Sequence, residues 1–129
     1  MISAKASNKY AEVKIENNIL YFQYKPLENL SLSIAKECLK LRLSVQKHWA
    51  YPILCDLRKV VQADKQAMDY LAKEGSLQTT AVALLVSYPH TFVTAGFYIT
   101  TSKPPTPTQT FQDVNSAKIF LSNYPKIMS

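Results

Sequence analysis

The middle of the chain, residues 51–64, reads YPILCDLRKVVQAD. Residues 53–57 form a nearly continuous apolar run, which is typical of a strand buried on both faces. Pro52 precedes that predicted strand, and Asp64 stands where its carboxylate would cap the start of a helix. The core face of this helix is predicted to consist of Ala67, Met68, Leu71 and Ala72, with Gly75 at its end. A strand, a loop and a helix follow one another, as in α/β proteins.

Upstream of this stretch the sequence predicts a hairpin and a helix. Val13, Ile15 and the segment 19–24 form two short strand-like stretches that flank Asn17-Asn18, a combination typical of a β-hairpin. Ser31 is placed to cap a helix that runs to about Gln46, since its hydroxyl can accept from a free amide of the first turn.

Downstream, the alternation of strand and helix continues. Residues 81–86 predict a second buried strand, residues 91–101 a helix and residues 108–111 a short strand. Asp113 is expected to cap a last helix that ends before Pro125. The order ββαβαβαβα predicts a mixed α/β sheet, in which an N-terminal hairpin extends parallel strands joined by about four helices.

Composition fits one globular domain over residues 1–129, with residues 1–9 expected to be loosely ordered. Of the 129 residues, 47% are hydrophobic and 11% aromatic, which excludes the composition of disordered chains. The formal net charge of +6 favours acidic partners or anionic surfaces. Neither a basic helix face nor a nucleic-acid-binding motif accompanies this charge, so no nucleic-acid partner is predicted.

The sequence predicts neither a transmembrane segment nor secretion. Residues 81–100 are uncharged and have the length of a membrane span, but the polar residues 87–91 divide them into a strand and a helix. No apolar signal-peptide core follows Met1, so a cytoplasmic location is expected. Cys38 and Cys55 stand in apolar surroundings and are expected to be buried, reduced thiols.

No group of residues in the sequence indicates catalysis, a metal or a cofactor. His48 and His90 lie in separate predicted loops without zinc-ligand spacing. Asp56 and Asp64 are explained by a strand-end turn and a helix cap rather than by an acid pair. No serine, threonine or tyrosine has a general base beside it in the sequence pattern. The expectation is a non-enzymatic protein with no catalytic, cofactor-binding or metal site.

The loop after the central predicted strand carries the pattern of a known domain family. Asp56, Leu57, Val60 and Asp64 fall at the spacing of Asp-Leu-Ser-x-Val, three variable residues, then Asp-Ser-(Ser/Ala)-Gly. With the order of elements, this resembles the STAS domain of anti-sigma-factor antagonists and anion-transporter tails. In signalling members the serine after the second aspartate is phosphorylated at a helix N-terminus. Lys65 occupies that position, so the resemblance implies the fold and a binding role without the phosphorylation switch.

Basic residues surround the same loop. Arg58, Lys59 and Lys65 lie near the carboxyl end of the predicted strand, the edge at which open α/β sheets bind ligands. Either a small basic ligand pocket or a solvated charged loop accounts for them.

A closer resemblance covers most of the chain. Residues 51–58, 83–86 and 107–111 follow, in order, the patterns Tyr-Pro-(apolar)2-x-Asp-Leu-Arg, Ala-Leu-Leu-Val and Pro-Thr-x-x-Phe. These patterns are similar to those of a group of small, uncharacterised STAS-like bacterial proteins, and the spacing of Asp113, Ala117, Phe120 and Leu121 resembles the closing helix of that group. Such proteins are placed in the STAS and lipid-binding Sec14-like superfamily. The resemblance implies protein-partner binding or apolar-ligand binding, and no activity.

The first predicted helix has more apolar surface than one sheet contact covers. Leu32, Leu39 and Leu43 lie on the surplus side, which is expected to form a homodimer or partner interface or to be covered by a neighbouring loop. Arg42 falls within the same apolar arc. Its guanidinium is expected to reach solvent or to meet a carboxylate such as Asp69.

The third predicted helix is apolar on more than one side. Phe92, Phe97 and Tyr98 are expected to pack in the core, to lie at a dimer seam or to line an apolar cavity. These patterns favour, as a first hypothesis, a protein–protein interaction module acting as a dimer. The alternative is a carrier or sensor of a small apolar or lipid-like ligand held beneath this helix.

Overall fold

A mixed β-sheet forms the centre of the structure, a computed structural model that describes residues 4–129. The strands of the described chain, in this sheet and in a separate pair, are β1 (Ala4–Ser7), β2 (Ala11–Glu16), β3 (Ile19–Tyr24), β4 (Leu27–Leu30), β5 (Trp49–Asp56), β6 (Val60–Ala63), β7 (Thr79–Leu85), β8 (Thr108–Phe111) and β9 (Ile127–Met128). The helices are α1 (Leu32–Gln46), α2 (Lys65–Lys73), α3 (His90–Phe97) and α4 (Val114–Leu121). A 3₁₀ turn, Glu74–Ser76, follows α2, and a π-helical turn, Tyr98–Ser102, continues α3.

The strands of the main sheet lie in the order β1-β2-β3-β5-β7-β8. The pairs β1–β2 and β2–β3 are antiparallel, whereas β3–β5, β5–β7 and β7–β8 are parallel. Strand β9 pairs antiparallel with the first residues of β5. Helices connect the parallel neighbours, as such connections require. The predicted mixed α/β fold with a hairpin at the edge of parallel strands is therefore confirmed.

The hairpin between β2 and β3 turns at the predicted asparagine pair. Asn17 and Asn18 have φ angles of 51° and 63°, the left-handed backbone that a two-residue type I′ turn requires at both positions. Asparagine adopts this conformation more readily than most residues because its short side chain can hydrogen-bond locally. The sequence therefore specifies this turn directly.

Two of the three predicted helix caps make the expected side-chain hydrogen bond. The hydroxyl of Ser31 accepts from the amide of Ile34 at 3.3 Å, and the carboxylate of Asp113 accepts from the amide of Ser116 at 2.8 Å. Asp64 occupies the cap position of α2, but its side chain accepts no capping hydrogen bond. The start of α2 is therefore set by tertiary packing more than by its cap.

The structure contains four strands that the sequence did not predict, β1, β4, β6 and β9. Residues 4–7 pair with β2, which corrects the expectation that residues 1–9 are loosely ordered; residues 1–3 lie outside the described range. Strands β4 and β6 form a separate parallel pair. None of these four strands exceeds four residues, too short for hydrophobic alternation to indicate a strand.

Pro52 lies within β5 rather than before it. The pairing of β5 with β7 changes register between Tyr51 and Pro52. Such an irregularity accommodates a proline in a central strand, because the ring has no amide hydrogen to give to the ladder.

Helices cover both faces of the sheet. Side chains alternate between the faces along each strand, so Cys55 and Leu84 pack beneath the helices on one side, while Leu54 and Ala83 pack towards α4 on the other. Helices α1 and α2 lie on the same side as α3. Among the helices of residues 4–129, none has the length and apolar character needed to cross a membrane.

Candidate functional site

A cavity of about 120 Å³ lies between the sheet and helices α1, α2 and α3. Its floor consists of residues from β3, β5 and β7, namely Phe22, Tyr24, Ile53, Cys55, Val82 and Leu84. Its walls include Cys38, Leu39 and Arg42 from α1, Met68 and Leu71 from α2, and Thr91, Thr94 and Ala95 from α3, with Tyr98 from the following turn. Leu30, Leu57, Val60 and Ala63 close the side near β4 and β6. The lining is therefore mainly apolar, with a few polar groups.

The parallel pairing of three strands positions the floor. Phe22 lies beside Cys55 in register, and Cys55 lies beside Leu84. Residues in register on neighbouring strands point to the same face of a sheet. The three side chains therefore form a row beneath the helices, held by main-chain hydrogen bonds.

Arg42 is the charged group of the lining and is only 5% exposed. Its Nη2 donates to the main-chain oxygens of Gly75 at 2.9 Å and Leu77 at 3.3 Å, and its Nη1 donates to the side-chain oxygen of Gln46. All three acceptors are neutral. Burial lowers the pKa of Arg42 to about 10, so the guanidinium remains cationic at neutral pH. It is a buried charge held by dipoles rather than by a counter-ion.

This arrangement corrects both expectations for Arg42, which neither reaches solvent nor meets Asp69. Asp69 instead accepts from Lys65 and from the hydroxyl of Ser102, the latter at 2.8 Å. Within residues 4–129, no carboxylate lies within 4.0 Å of the Arg42 guanidinium. Main-chain carbonyls at the end of α2 take the place of the predicted acid because the helix leaves them without intrahelical partners.

Two tyrosines contribute hydroxyl groups to the lining. Tyr24 is 4% exposed, and Tyr98 is half-buried. Burial raises the pKa of both phenols above the ordinary value of 10, so both hydroxyls stay protonated at neutral pH. Across the described chain, neither hydroxyl has a protein hydrogen-bond partner. Buried tyrosine hydroxyls usually have one, so the unpaired donor of Tyr24, in a residue only 4% exposed, is available to a bound molecule.

Both cysteines line the cavity as neutral thiols. Burial raises the pKa of Cys38 and of Cys55 to about 12 each. Because the thiolate is the nucleophile and the metal ligand, these cysteines have little reactivity at neutral pH. Over residues 4–129, no three His, Cys, Asp or Glu side chains lie together as a metal site would require.

Three aromatic residues were predicted to pack in the core, to lie at a dimer seam or to line a cavity, and for two of them the exposure corrects the core and cavity alternatives. Phe92 is 40% and Phe97 48% exposed, whereas Tyr98 lines the cavity. The side of α3 that faces the sheet carries the small residues Thr91 and Ala95. Small side chains allow the helix to approach the floor, and the exposed Phe92 and Phe97 do not lie in the cavity lining.

The residues predicted for a partner surface on α1 are largely covered by the chain itself. Leu39 is 6% exposed and lines the cavity, while Leu32 and Leu43 are half-buried. For Leu39 this corrects the interface alternative: the side chain is covered by the chain itself, where α2 packs beside α1 rather than where a loop was expected.

The residues of the STAS-like loop form two separate pairs. Asp56, at the end of β5, accepts from the Arg58 side chain at 3.0 Å to Nε and 2.9 Å to Nη2. Lys65 pairs with Asp69 along α2, and Asp64 stands between the two pairs at the helix start. The expected basic pocket is therefore partly neutralised, since two of its three cations have carboxylate partners.

Tyr24, Arg42 and Cys55 were not predicted to share one site. They belong to β3, α1 and β5, which meet only through the sheet order and the packing of α1. The one signal in the sequence was a cation in the apolar arc of a helix, since arginine is seldom fully buried without a specific reason.

Comparisons with known proteins support the fold. A family model described as Domain of unknown function (DUF7793) matches residues 13–125. A crystal structure of an uncharacterized protein from the DUF3478 family, with a SpoIIAA-like fold, from Shewanella loihica PV-4, superposes with a TM-score of 0.61 at 15% identity. The match covers 90% of this chain and 98% of the other. No curated protein matches the chain. The predicted STAS-like fold is confirmed at the level of architecture.

Proposed function

The chain belongs to the DUF7793 family, whose description assigns no activity, and we propose that it is a non-enzymatic module that binds a small apolar ligand beneath α3. The observation that carries this proposal is the cavity of about 120 Å³ between the sheet and three helices. Apolar cavities of about 150 Å³ stay dry and bind molecules the size of benzene. The ligand, or the part of it that enters, is therefore small.

The energetics of packing support a bound state. At about 24 cal/mol for each Å³ of unfilled volume, a fully enclosed void as large as this cavity, about 120 Å³, lowers the free energy of unfolding by at most about 3 kcal/mol. A ligand that fills the space recovers part of this cost. Protein interiors are normally close-packed. A protein that acts only through surface contacts has no use for an unfilled space of this size.

Thermal unfolding in the presence of benzene or toluene tests the proposal. Saturating ligand is expected to raise the melting temperature by several degrees, because it binds the folded chain alone. The variant Cys55→Leu places a larger side chain in the cavity floor and is expected to melt higher than wild type without responding to ligand. Val93→Ala, on the outer side of α3, is the matched control that keeps the response. If wild type shows no ligand-dependent shift and Cys55→Leu gains no stability, the ligand-binding function is wrong.

The outer side of α3 favours a second candidate, a protein–protein contact with another copy of the chain. The exposed apolar residues on and beside α3, which we call the α3 patch, are Val61 of β6, Tyr88 of the preceding loop, and Phe92, Val93 and Phe97 of the helix. The rings of Tyr88 and Phe92 lie 5.5 Å apart, and His90 bonds the main chain of Val61, which joins β6 to the patch. Contiguous apolar surface is uncommon on a monomer.

Sedimentation of the purified chain tests this candidate. A dimer that becomes monomeric in Phe97→Lys supports it, because a charge is costly to bury without a partner. Leu43→Lys, on α1, is the matched control expected to leave the dimer intact. A wild-type chain that is monomeric at high concentration would eliminate this candidate.

A further inference from the structure

We propose that the ligand of the cavity is an apolar monocarboxylate, whose acid group lies against Arg42 and whose hydrocarbon part lies over the floor residues. This inference rests on the proposed function and specifies its ligand class. Its basis is the juxtaposition, in one mainly apolar cavity, of a buried cation and two tyrosine hydroxyls that have no protein partner in the described chain.

The cation lacks a neutralising partner. A guanidinium has five N–H donors, and three hydrogen bonds of Arg42 go to neutral oxygens of Gln46, Gly75 and Leu77. That leaves two N–H groups without a protein acceptor in the described chain. Buried charges are normally paired, and the pKa of Arg42, lowered to about 10 by burial, reflects the cost of leaving this one unpaired. An anion in the cavity would remove that cost.

The hydroxyls supply further donors. Tyr24 and Tyr98 both line the cavity, and each phenol can donate one hydrogen bond. Burial keeps both phenols protonated at neutral pH. Hydrogen bonds to a charged acceptor are shorter and stronger than those between neutral groups. Arg42 and the two phenols thus add to the lining donors that suit an anionic oxygen.

The size and charge of the site select a carboxylate. Arg42 is the sole Lys or Arg among the lining residues, so a single negative charge is matched. A phosphate monoester carries about −1.5 to −2 charges at neutral pH and would retain excess charge in an apolar surrounding. A carboxylate is planar and carries one charge, which suits the guanidinium fork. Leu39, Ile53 and Leu84 leave an apolar space for a short chain.

Calorimetric titration with butyrate and with its neutral isostere butyramide tests the ligand class. Wild type is expected to bind butyrate at least about tenfold more tightly, the factor expected when a charge-assisted bond replaces a neutral one. Tyr98→Phe removes one donor without touching the hydrogen bonds of Arg42 and is expected to weaken butyrate severalfold while leaving butyramide less affected. Arg42→Met is expected to abolish the preference for the anion. If that variant does not fold, the comparison of butyrate with butyramide on wild type and on Tyr98→Phe still tests the carboxylate.

The outcomes separate this inference from the proposed function. Equal binding of butyrate and butyramide, or binding of toluene with no binding of butyrate, overturns the carboxylate and leaves the apolar cavity function in place. Failure of butyrate, butyramide and toluene alike overturns both. Tighter binding of butyrate that is unchanged in Tyr98→Phe and in folded Arg42→Met also overturns it, because the anion would then lie outside the cavity.

Discussion

The Nη2 atom of Arg42 donates to the main-chain oxygen of Gly75 across 2.9 Å and thereby ties α1 to the end of α2. The same nitrogen reaches Leu77, and Gln46 extends the connection by donating to the oxygens of Trp49 and Gln78 at 3.0 and 2.7 Å. One buried side chain thus fixes the separation of two helices that wall the cavity. The polar end of the cavity and the stability of the fold are consequently linked.

Replacement of Arg42 by alanine is expected to lower the free energy of unfolding by about 2–4 kcal/mol, because buried acceptors lose their donor and the aliphatic stem loses its packing. Urea denaturation measures the change. Lys40→Ala, an exposed change in the same helix, should cost less than about 0.5 kcal/mol. Equal costs for the two variants would show that the Arg42 network adds no stability.

Cys38 and Cys55 are expected to resist alkylation in the folded chain. A pKa of about 12, against an ordinary value of 9.0, lowers the thiolate population about 1,000-fold near neutral pH. Mass spectrometry after iodoacetamide treatment at about pH 8 measures the rate. The same chain in denaturant is the control and should react rapidly; similar rates in both conditions would contradict the burial of the thiols.

The folded chain is expected to lose stability at alkaline pH. The pKa values of Cys38 and Cys55 rise from 9.0 to about 12 on folding, so the unfolded chain releases protons first and the free energy of unfolding falls as the pH rises between these values. Tyr24 acts in the same direction, whereas Arg42, whose pKa is lowered to about 10, opposes it. The raised pKa values of Cys38, Cys55 and Tyr24 are expected to outweigh the lowered pKa of Arg42.

Urea midpoints measured on either side of pH 9 follow this loss. The variant Cys55→Ala is expected to show a shallower decline than wild type, because one raised acid is absent. A midpoint that stays constant up to about pH 11 would contradict the linkage.

Truncation of Phe97 is expected to have a small effect on stability. Its ring is 48% exposed, so Phe97→Ala should cost about 1 kcal/mol or less. Leu85→Ala, in the centre of the sheet at 1% exposure, should cost about 2–5 kcal/mol. Chemical denaturation of both variants makes the comparison, and a cost for Phe97→Ala near that of Leu85→Ala would place the ring in the core after all.

Local chemistry made much of the fold predictable. The asparagine pair at the β2–β3 turn, Ser31 at the start of α1 and Asp113 at the start of α4 each act on neighbouring backbone groups, so their roles follow from adjacent residues. The apolar runs of β5 and β7 predict buried strands for the same reason.

The face of α3 was not predictable from apolarity. Thr91, Ala95 and Tyr98 lie on the side that faces the sheet, while Phe92 and Phe97 are exposed. If apolarity and size alone decided which residues are buried, Phe92 and Phe97 would face the sheet. The space between α3 and the sheet instead admits the small residues Thr91 and Ala95. The packing of α1 and α2 determines how much space there is.

The row formed by Phe22, Cys55 and Leu84 ties the cavity to the completion of folding. Its members come from three strands far apart in the chain, joined by parallel pairing, and contacts between distant segments form late and slowly. A partly assembled sheet therefore has no floor on which a molecule can rest. A molecule that occupies the finished cavity therefore slows unfolding and leaves the folding rate of the chain unchanged.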